Sequence, residues 1–180
     1  MKNLIRIKLL LWLMIVSLYA DAYHIKLVDN LDRPQDGYCL DVAGSGNYIR
    51  ADLPLIGHNC KPGLYADEAF EFRKDGTIYF PTFNLCVTIS GLNKYVLDHT
   101  SLSLQECHKD TPFLSAKYMQ KFEYTKDKKI KHKNTSKCLE VGEESSVTYS
   151  KSHTWRTLYM KECSESDPKR STWFFNKPKS

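Results

Sequence analysis

Phe70-Glu71-Phe72-Arg73-Lys74-Asp75 is the stretch that decides the fold, because a similar stretch follows later as Phe122-Glu123-Tyr124-Thr125-Lys126-Asp127. In both copies an isoleucine comes next (Ile78, Ile130), and a cysteine stands sixteen residues after the first aromatic (Cys86, Cys138). So many matches without a gap indicate an internal repeat, in which one structural unit is stacked several times.

Each copy has the pattern of a β-hairpin followed by a strand that contains the cysteine. Aromatic and polar residues alternate, as in Phe70 and Phe72 against Glu71 and Arg73, which is typical of a half-buried strand. Lys74-Asp75-Gly76 and Lys126-Asp127-Lys128 supply turn residues. A hairpin of this length cannot bury its apolar face alone, so we expect the copies to pack on one another.

A third copy is split between the two ends of the chain. Tyr23 stands sixteen residues before Cys39, with Ile25 and Leu31 in the expected strand positions. At the other end, Ser171-Thr172-Trp173 takes the place of Glu68-Ala69-Phe70 and Gln120-Lys121-Phe122. The repeats then span residues 23–70, 71–122 and 123–173, and the last aromatic should meet the first strand.

Residues 1–22 have the pattern of a secretory signal peptide. Lys2, Arg6 and Lys8 precede an apolar run from 9 to 20 that is too short to span a bilayer, and Ala20 and Ala22 suit a signal peptidase. The alternative is an uncleaved anchor. We expect a secreted protein with one domain over residues 23–180 and no membrane insertion.

The net charge gives little reason to expect a nucleic-acid partner. Without residues 1–22, which include Lys2, Arg6, Lys8 and Asp21, the formal charge falls from +5 to +3. The segment 128–137 is locally basic, but acidic and basic residues mix elsewhere, as on a solvated strand face.

The six cysteines predict three disulfides, one in each repeat. Six cysteines allow fifteen pairings, and a secreted chain with an even number should oxidise them all. If the repeats are equivalent, each closes its own loop through Cys39–Cys60, Cys86–Cys107 and Cys138–Cys163. The spacing does not match a structural zinc site, so we expect no metal and no cofactor.

The remaining pattern predicts about four strands in each repeat and about twelve in all. Further extended segments lie at 55–56, 102–104 and 158–160, and the longest loops should be 61–67, 108–119 and 141–156. Asn134-Thr135-Ser136 is the one N-glycosylation sequon, in a stretch with turn composition.

Three such repeats resemble the ricin-type β-trefoil lectin family, and most closely the lectin domain at the end of polypeptide N-acetylgalactosaminyltransferases. The residues that carry the resemblance are Cys39-Leu40-Asp41-Val42, Cys86-Val87-Thr88-Ile89 and Cys138-Leu139-Glu140-Val141, together with the three segments that end at Phe70, Phe122 and Trp173. The resemblance implies an all-β, β-trefoil fold of three repeats of about 50 residues.

The resemblance also implies where a sugar would bind. In the family, a carboxylate two residues after the first cysteine accepts hydrogen bonds from sugar hydroxyls, a ring two residues before the second cysteine stacks on the sugar, and an asparagine completes the pocket. The first repeat has Asp41, His58 and Asp67 at these positions, so amide donation is lost at Asp67. The alternative is that Asp41 only accepts backbone hydrogen bonds in a tight loop.

The other two repeats depart further from the family pattern. The second has Thr88, Gln105 and Met119, and the third has Glu140, Lys161 and Arg170. We therefore expect the second site to be inactive and the third to bind poorly if at all.

The sequence thus predicts a secreted, non-catalytic carbohydrate-binding module for galactose- or N-acetylgalactosamine-type glycans or glycoproteins. The alternative is a protein–protein interaction module, an inhibitor, adhesion or toxin-like subunit, in which the loops at 108–119 and 141–156 form the contact surface with Phe113, Tyr118, Tyr149 and Trp155. An enzyme is a third reading, but no nucleophile and base stand together in the sequence.

Overall fold

The computed structural model describes residues 22–148 and 150–178, and within them the chain is almost entirely β-structure. The signal-peptide prediction falls, apart from Ala22, outside the described residues. Thirteen strands are formed in the described part: β1 (His24–Leu27), β2 (Tyr38–Asp41), β3 (Ile56–Asn59), β4 (Glu71–Phe72), β5 (Ile78–Phe80), β6 (Leu85–Ile89), β7 (Thr100–Glu106), β8 (Phe122–Tyr124), β9 (Ile130–His132), β10 (Lys137–Val141), β11 (Ser146–Val147), β12 (Thr154–Glu162) and β13 (Trp173–Asn176).

Helical structure in the described part is short. It comprises α1 (Ala116–Met119), α2 (Pro168–Ser171) and a 3-10 turn over Gly46–Tyr48. Among residues 22–148 and 150–178, no helix has the length and apolar character needed to cross a membrane.

All strand pairs are antiparallel, and the two ends of the chain close the structure as the split repeat predicts. β13 pairs with β1, with Trp173 opposite Leu27. β12 is the central strand, because it pairs with β3 of the first repeat, β7 of the second, and β10 and β11 of its own. A site beside β12 can therefore draw residues from all three repeats.

The threefold repeat is visible in the backbone hydrogen bonds of the core. The amides of Phe70, Phe122 and Trp173 donate to the carbonyls of Tyr23 (3.1 Å), Gly76 (2.8 Å) and Lys128 (2.8 Å) respectively. Gly76 and Lys128 have φ of +88° and +60°, as the turn composition predicts. The three aromatic side chains are at most 1% exposed, and Ile25, Ile78 and Ile130 are fully buried with them.

The predicted alignment of Tyr23 with Phe70 and Phe122 is wrong. Tyr23 accepts the hydrogen bond that Gly76 and Lys128 accept in the other repeats, so it corresponds to those residues. Leu31 is not in a strand either, since it has φ of +53° in the turn after β1. The first repeat carries a longer connection between β1 and β2 than the others, and this insertion makes the sixteen-residue spacing a coincidence.

The three predicted disulfides are confirmed. Cys39–Cys60, Cys86–Cys107 and Cys138–Cys163 each join Cα atoms 5.0 Å apart, and none of the six cysteines is free. Each bridge joins the strand that follows the hairpin to the end of the next strand in its own repeat, so each repeat is cross-linked internally.

The predicted loop at 141–156 is wrong in part, because β11 and the start of β12 lie within it. From Thr154 to Met160 buried and more exposed residues alternate along β12. The strand begins early because Trp155 pairs with His58 of the first repeat. This pairing places Trp155 beside the predicted sugar site.

Candidate functional site

The hairpin of β2 and β3 positions the two main residues of the predicted first site. Cys39 lies opposite His58, and Asp41 opposite Ile56 at the end of β2. The Cys39–Cys60 bridge ties the two strands together just beyond His58. Asp41 and His58 are therefore diagonal neighbours on the hairpin, with His58 Nδ1 3.5 Å from Asp41 Oδ2. A loop over residues 42–55 joins the two strands beyond Asp41 and Ile56.

The third predicted residue, Asp67, joins them through a residue that sequence reasoning missed. The ammonium of Lys61 lies 2.6 Å from the Asp67 carboxylate (Oδ2), 3.2 Å from that of Asp41 (Oδ2) and 3.9 Å from Glu68 (Oε1). The side chains of Asp41 and Asp67 are 3% and 4% exposed, whereas that of Lys61 is 19% exposed. Lys61 is the partly accessible centre of a buried acidic cluster.

Glu68 closes the back of this cluster. Its Oε2 accepts a hydrogen bond from the Lys61 backbone amide at 3.0 Å, and the same oxygen lies 3.3 Å from His24 Nε2. In the second repeat, Gln120 Oε1 accepts the amide of His108 at 2.8 Å in the same way. Glu68 therefore accepts the same backbone hydrogen bond as Gln120, but it also places a carboxyl group in the protein interior.

Burial changes the protonation of the cluster. It raises the pKa of Asp41 well above its usual range, assisted by the negative charge of Glu68, and it raises the pKa of Glu68 to about 7. Burial alone would lower the pKa of Lys61, but the carboxylates of Asp41, Glu68 and Asp67 outweigh it and raise that pKa. At neutral pH Lys61 is charged, and it is the cation that faces the carboxyl groups of Asp41, Glu68 and Asp67.

His58 is a neutral ring in this setting. Burial, together with the charge of Lys61, lowers the pKa of His58 to about 4. Its Nδ1 lies 3.1 Å from the carbonyl of Asn59 and 3.5 Å from Asp41 Oδ2, so this nitrogen carries the proton and donates. The ring of His153 lies against it, with centroids 5.8 Å apart.

Asp41, His58 and Lys61 open into a cleft of about 1070 Å³, to which all three repeats contribute residues. One wall is apolar and comes from the loop before β3. The other is the outer face of β12. The residues that line it include Asp41, Leu53, Pro54, Leu55, Ile56, His58, Lys61, His99, Ser101, His153, Trp155, Thr157, Leu158 and Tyr159. Asp67 lies behind Lys61 and does not line the cleft.

Trp155 is the second cleft residue whose role sequence reasoning missed. It was assigned to a protein-contact loop, but it stands in the cleft wall opposite His58 in the strand register. The alternation of Trp155, Thr157 and Tyr159 with Arg156 and Leu158 was the available signal for an early strand start.

The corresponding positions of the other repeats are arranged differently. In the second, Thr88 Oγ1 accepts a hydrogen bond from Gln120 Nε2 at 2.9 Å. In the third, Glu140 lies 3.2 Å from the Arg170 guanidinium and accepts the Asp167 amide at 3.1 Å. Protein donors thus contact both positions. Tyr159 lies opposite Glu140 in the strand register, and its hydroxyl is 3.4 Å from the Glu140 carboxylate.

A metal ion does not fit the cluster well. Ligand atoms of Asp41, His58 and Glu68 lie within 4.8 Å of one another. The ammonium of Lys61, however, already lies among these carboxylates and supplies the positive charge that a cation would bring. A second group includes Cys39, whose sulfur is committed to a disulfide.

The residues of the predicted protein-contact surface differ in their exposure. Phe113 is 71% exposed, Tyr118 is only partly exposed, Trp155 lies in the cleft, and Tyr149 lies outside the described residues.

The sequon residue Asn134 is exposed in the turn between β9 and β10.

Comparison with known proteins agrees with this architecture. The β-trefoil lectin of the Vibrio vulnificus hemolysin/cytolysin, with N-acetyl-D-lactosamine bound, superposes with a TM-score of 0.59 at 15% identity, over 89% of this chain and 96% of that one. The mdaA-1 domain superposes with a TM-score of 0.57 at 16% identity, over 88% and 91%. At such identities the likeness shows the fold alone.

The family of this protein is identified from its sequence. No curated protein matches it significantly. Residues 28–169 match the profile of the ricin-type beta-trefoil lectin domain, a family that points to non-catalytic carbohydrate binding. Because this match covers most of the chain, the protein belongs to the ricin-type β-trefoil lectin domain family.

Proposed function

We propose that this protein is a secreted, non-catalytic lectin that binds galactose- or N-acetylgalactosamine-type glycans through its first repeat. The observation that carries the proposal is the cleft in which Asp41, His58 and Trp155 meet. A carboxyl group can accept hydrogen bonds from sugar hydroxyls, and flat rings can cover the apolar C–H face of a pyranose. The bound N-acetyl-D-lactosamine of the Vibrio vulnificus lectin supports the galactose-type choice.

Sugar binding would require the hydroxyls of the sugar to replace the Lys61 ammonium as hydrogen-bond donors to Asp41. The Lys61 ammonium lies closer to Asp67 (2.6 Å) than to Asp41 (3.2 Å). Sugar hydroxyls can therefore replace it on Asp41 while it stays on Asp67. The ammonium then has hydrogens left to donate to a hydroxyl or ring oxygen of the sugar.

Secretion is supported by the apolar leader at 9–20 and by three disulfides, which persist in oxidising compartments. The exposed position of Asn134 in a turn suits N-glycosylation in the same pathway.

The test is a glycan array with oxidised protein comprising residues 23–180. We expect selective binding to glycans that end in galactose or N-acetylgalactosamine, competed by the free sugar at millimolar concentration. Binding to none of the glycans would contradict the proposal, and binding confined to other terminal sugars would overturn the specificity.

A protein partner is the second candidate function, and one observation favours it. Leu92 (56% exposed), Tyr95 (65%) and Phe113 (71%) form an exposed apolar patch on the second repeat, where the amide of Asn93 donates to the carbonyl of Phe113 at 2.9 Å. If this patch carries the function, binding to cells should survive enzymatic removal of their glycans and be lost in a Phe113→Ser variant. Loss of binding after deglycosylation would instead support the lectin.

A further inference from the structure

The cleft continues well beyond Asp41, along the outer face of β12. We propose that it binds an extended neutral oligosaccharide, with the terminal sugar at Asp41 and His58 and the following sugars lying on Trp155, Thr157 and Tyr159. This inference rests on the proposed lectin function and adds to it a second binding region and a ligand length.

The register of β12 creates the floor of this region. Trp155, Thr157 and Tyr159 are the more exposed residues of the strand, and the intervening Arg156 and Leu158 are buried. Leu158 also lines the cleft. At about 3.3 Å per residue, the two aromatic positions lie about 13 Å apart along the strand. Two rings with a small hydroxyl residue between them make a flat, amphipathic strip on which successive pyranose rings can lie.

Neighbouring residues hold the Tyr159 ring and the backbone of Trp155 in place. The Tyr159 ring packs against His99 with centroids 4.7 Å apart, and its hydroxyl lies 3.4 Å from Glu140. The backbone of Trp155 pairs with His58 on one side and Ser146 on the other. A pre-organised surface loses little conformational entropy when a ligand binds, which favours a weakly binding ligand such as a sugar chain.

The volume of the cleft is also larger than a single sugar would fill. Its volume of about 1070 Å³ lies at the upper end of the range for sites that bind whole drug-sized molecules. The loop before β3 contributes Leu53 and Pro54, and Ile56 lies beside Thr157 in the neighbouring strand, so apolar side chains border the strip.

The charges in the cleft favour a neutral chain. Of the described residues that line it, only Asp41 and Lys61 carry a carboxylate or an ammonium, and both stand at the near end. The far part offers the side chains of Ser101, Thr157, His99 and Tyr159, which can donate and accept hydrogen bonds without a counterion. A sialylated or sulfated chain would find no cation there.

The first experiment measures affinity against chain length by isothermal titration calorimetry. The ligands are galactose, N-acetyllactosamine and oligomers of two and three N-acetyllactosamine repeats. We expect the wild type to bind the longer oligomers at least about tenfold more tightly than galactose. If it binds galactose and gains nothing with length, the extended region is refuted while the lectin function stands. If it binds none of the series but another glycan on the array, the ligand class is wrong. If it binds no glycan at all, both proposals fail.

Single substitutions then show which residues cause the increase in affinity with chain length. Tyr159→Ala should abolish the increase in affinity with chain length, whereas Tyr159→Phe, which keeps the ring, should retain it. Thr157→Arg places a long cation on an exposed position of the strip and should also abolish the increase without removing a core contact. Tyr95→Ala serves as control, since Tyr95 is 65% exposed and does not line the cleft. A full gain with length in both Tyr159→Ala and Thr157→Arg would overturn the proposal.

Discussion

The ammonium of Lys61 lies 2.6 Å from the carboxylate of Asp67, the residue that stands where the family pattern has an asparagine. Asp67 itself can only accept when ionised. The pair of residues therefore supplies what a single asparagine would: Asp67 fixes the geometry and Lys61 donates. The same ammonium neutralises part of the charge on the buried carboxyl groups of Asp41 and Glu68.

Replacing Lys61 by Met should destabilise the protein by about 1–3 kcal/mol, because it leaves buried carboxylates without their cation. The free energy of unfolding in urea at pH 7 measures the loss. The matched control is Lys109→Met. Lys109 lies 2.6 Å from Glu106, but both side chains are more than half exposed. We expect that control to cost no more than about 1 kcal/mol. Equal effects of the two substitutions would contradict the account of the cluster.

Replacing Glu68 by Gln should change how stability depends on pH. Folding raises the pKa of Glu68 from an ordinary 4.5 to about 7, so the folded state binds this proton more tightly than the unfolded state. The resulting contribution to stability is present below about pH 4.5 and is lost as pH rises towards about 7. The Glu68→Gln substitution would remove this loss of stability. Asp41 would then have no negative charge at Glu68 beside it, so its own contribution to the loss of stability with rising pH should be smaller.

The measurement is the difference in unfolding free energy between Glu68→Gln and wild type across this pH range. It should rise with pH by roughly 1–3 kcal/mol and level off above about pH 8. His58, whose pKa burial lowers, makes stability rise with pH in both proteins, so its effect should largely cancel. A difference that is flat with pH would show that Glu68 titrates normally. As the reciprocal control, Gln120→Glu should destabilise at neutral pH.

The sequence predicted the parts of this structure that repeat. Phe70, Phe122 and Trp173 and the three disulfides recur at related positions because three equivalent units must each close a loop and contribute to one core. The position of Tyr23 was misjudged because an insertion in the first repeat reproduced a spacing by chance.

What is specific to one repeat could not be predicted in this way. Lys61 follows the second cysteine of its repeat, where the other repeats have His108 and Ser164, and a lysine between a cysteine and a proline reads as solvent-exposed. Only the folded chain brings it to Asp41 and Asp67. Trp155 was missed for a similar reason, because its pairing with His58 joins residues from different repeats.

The core can be tested at Phe122, which is 1% exposed and packs near the threefold axis. Phe122→Ala should cost roughly 3–5 kcal/mol of unfolding free energy, as for buried aromatics generally. Phe113→Ala, at a position 71% exposed, should cost less than about 0.5 kcal/mol. A loss below about 1 kcal/mol at Phe122 would contradict its place in the core.

The disulfides make a separate prediction. Peptide mapping without reduction should recover only the three bridges within repeats, and a bridge between repeats would contradict the structure. Replacing Cys86 and Cys107 together by Ala opens a loop with a sequence separation of 21. It should lower the unfolding free energy by about 3 kcal/mol in the chain-entropy model.

The central claim is that the first repeat binds the sugar, and Asp41→Asn tests it most directly. The measurement is the affinity of the folded variant for the glycan that wild type binds on the array, determined by calorimetry beside Thr88→Val, a change at the equivalent position of the second repeat, which does not line the cleft. A site for one sugar should bind in the millimolar range, about 4 kcal/mol. We predict that Asp41→Asn loses binding and that Thr88→Val keeps it. Unchanged binding in Asp41→Asn, or loss only in Thr88→Val, would contradict a first-repeat site.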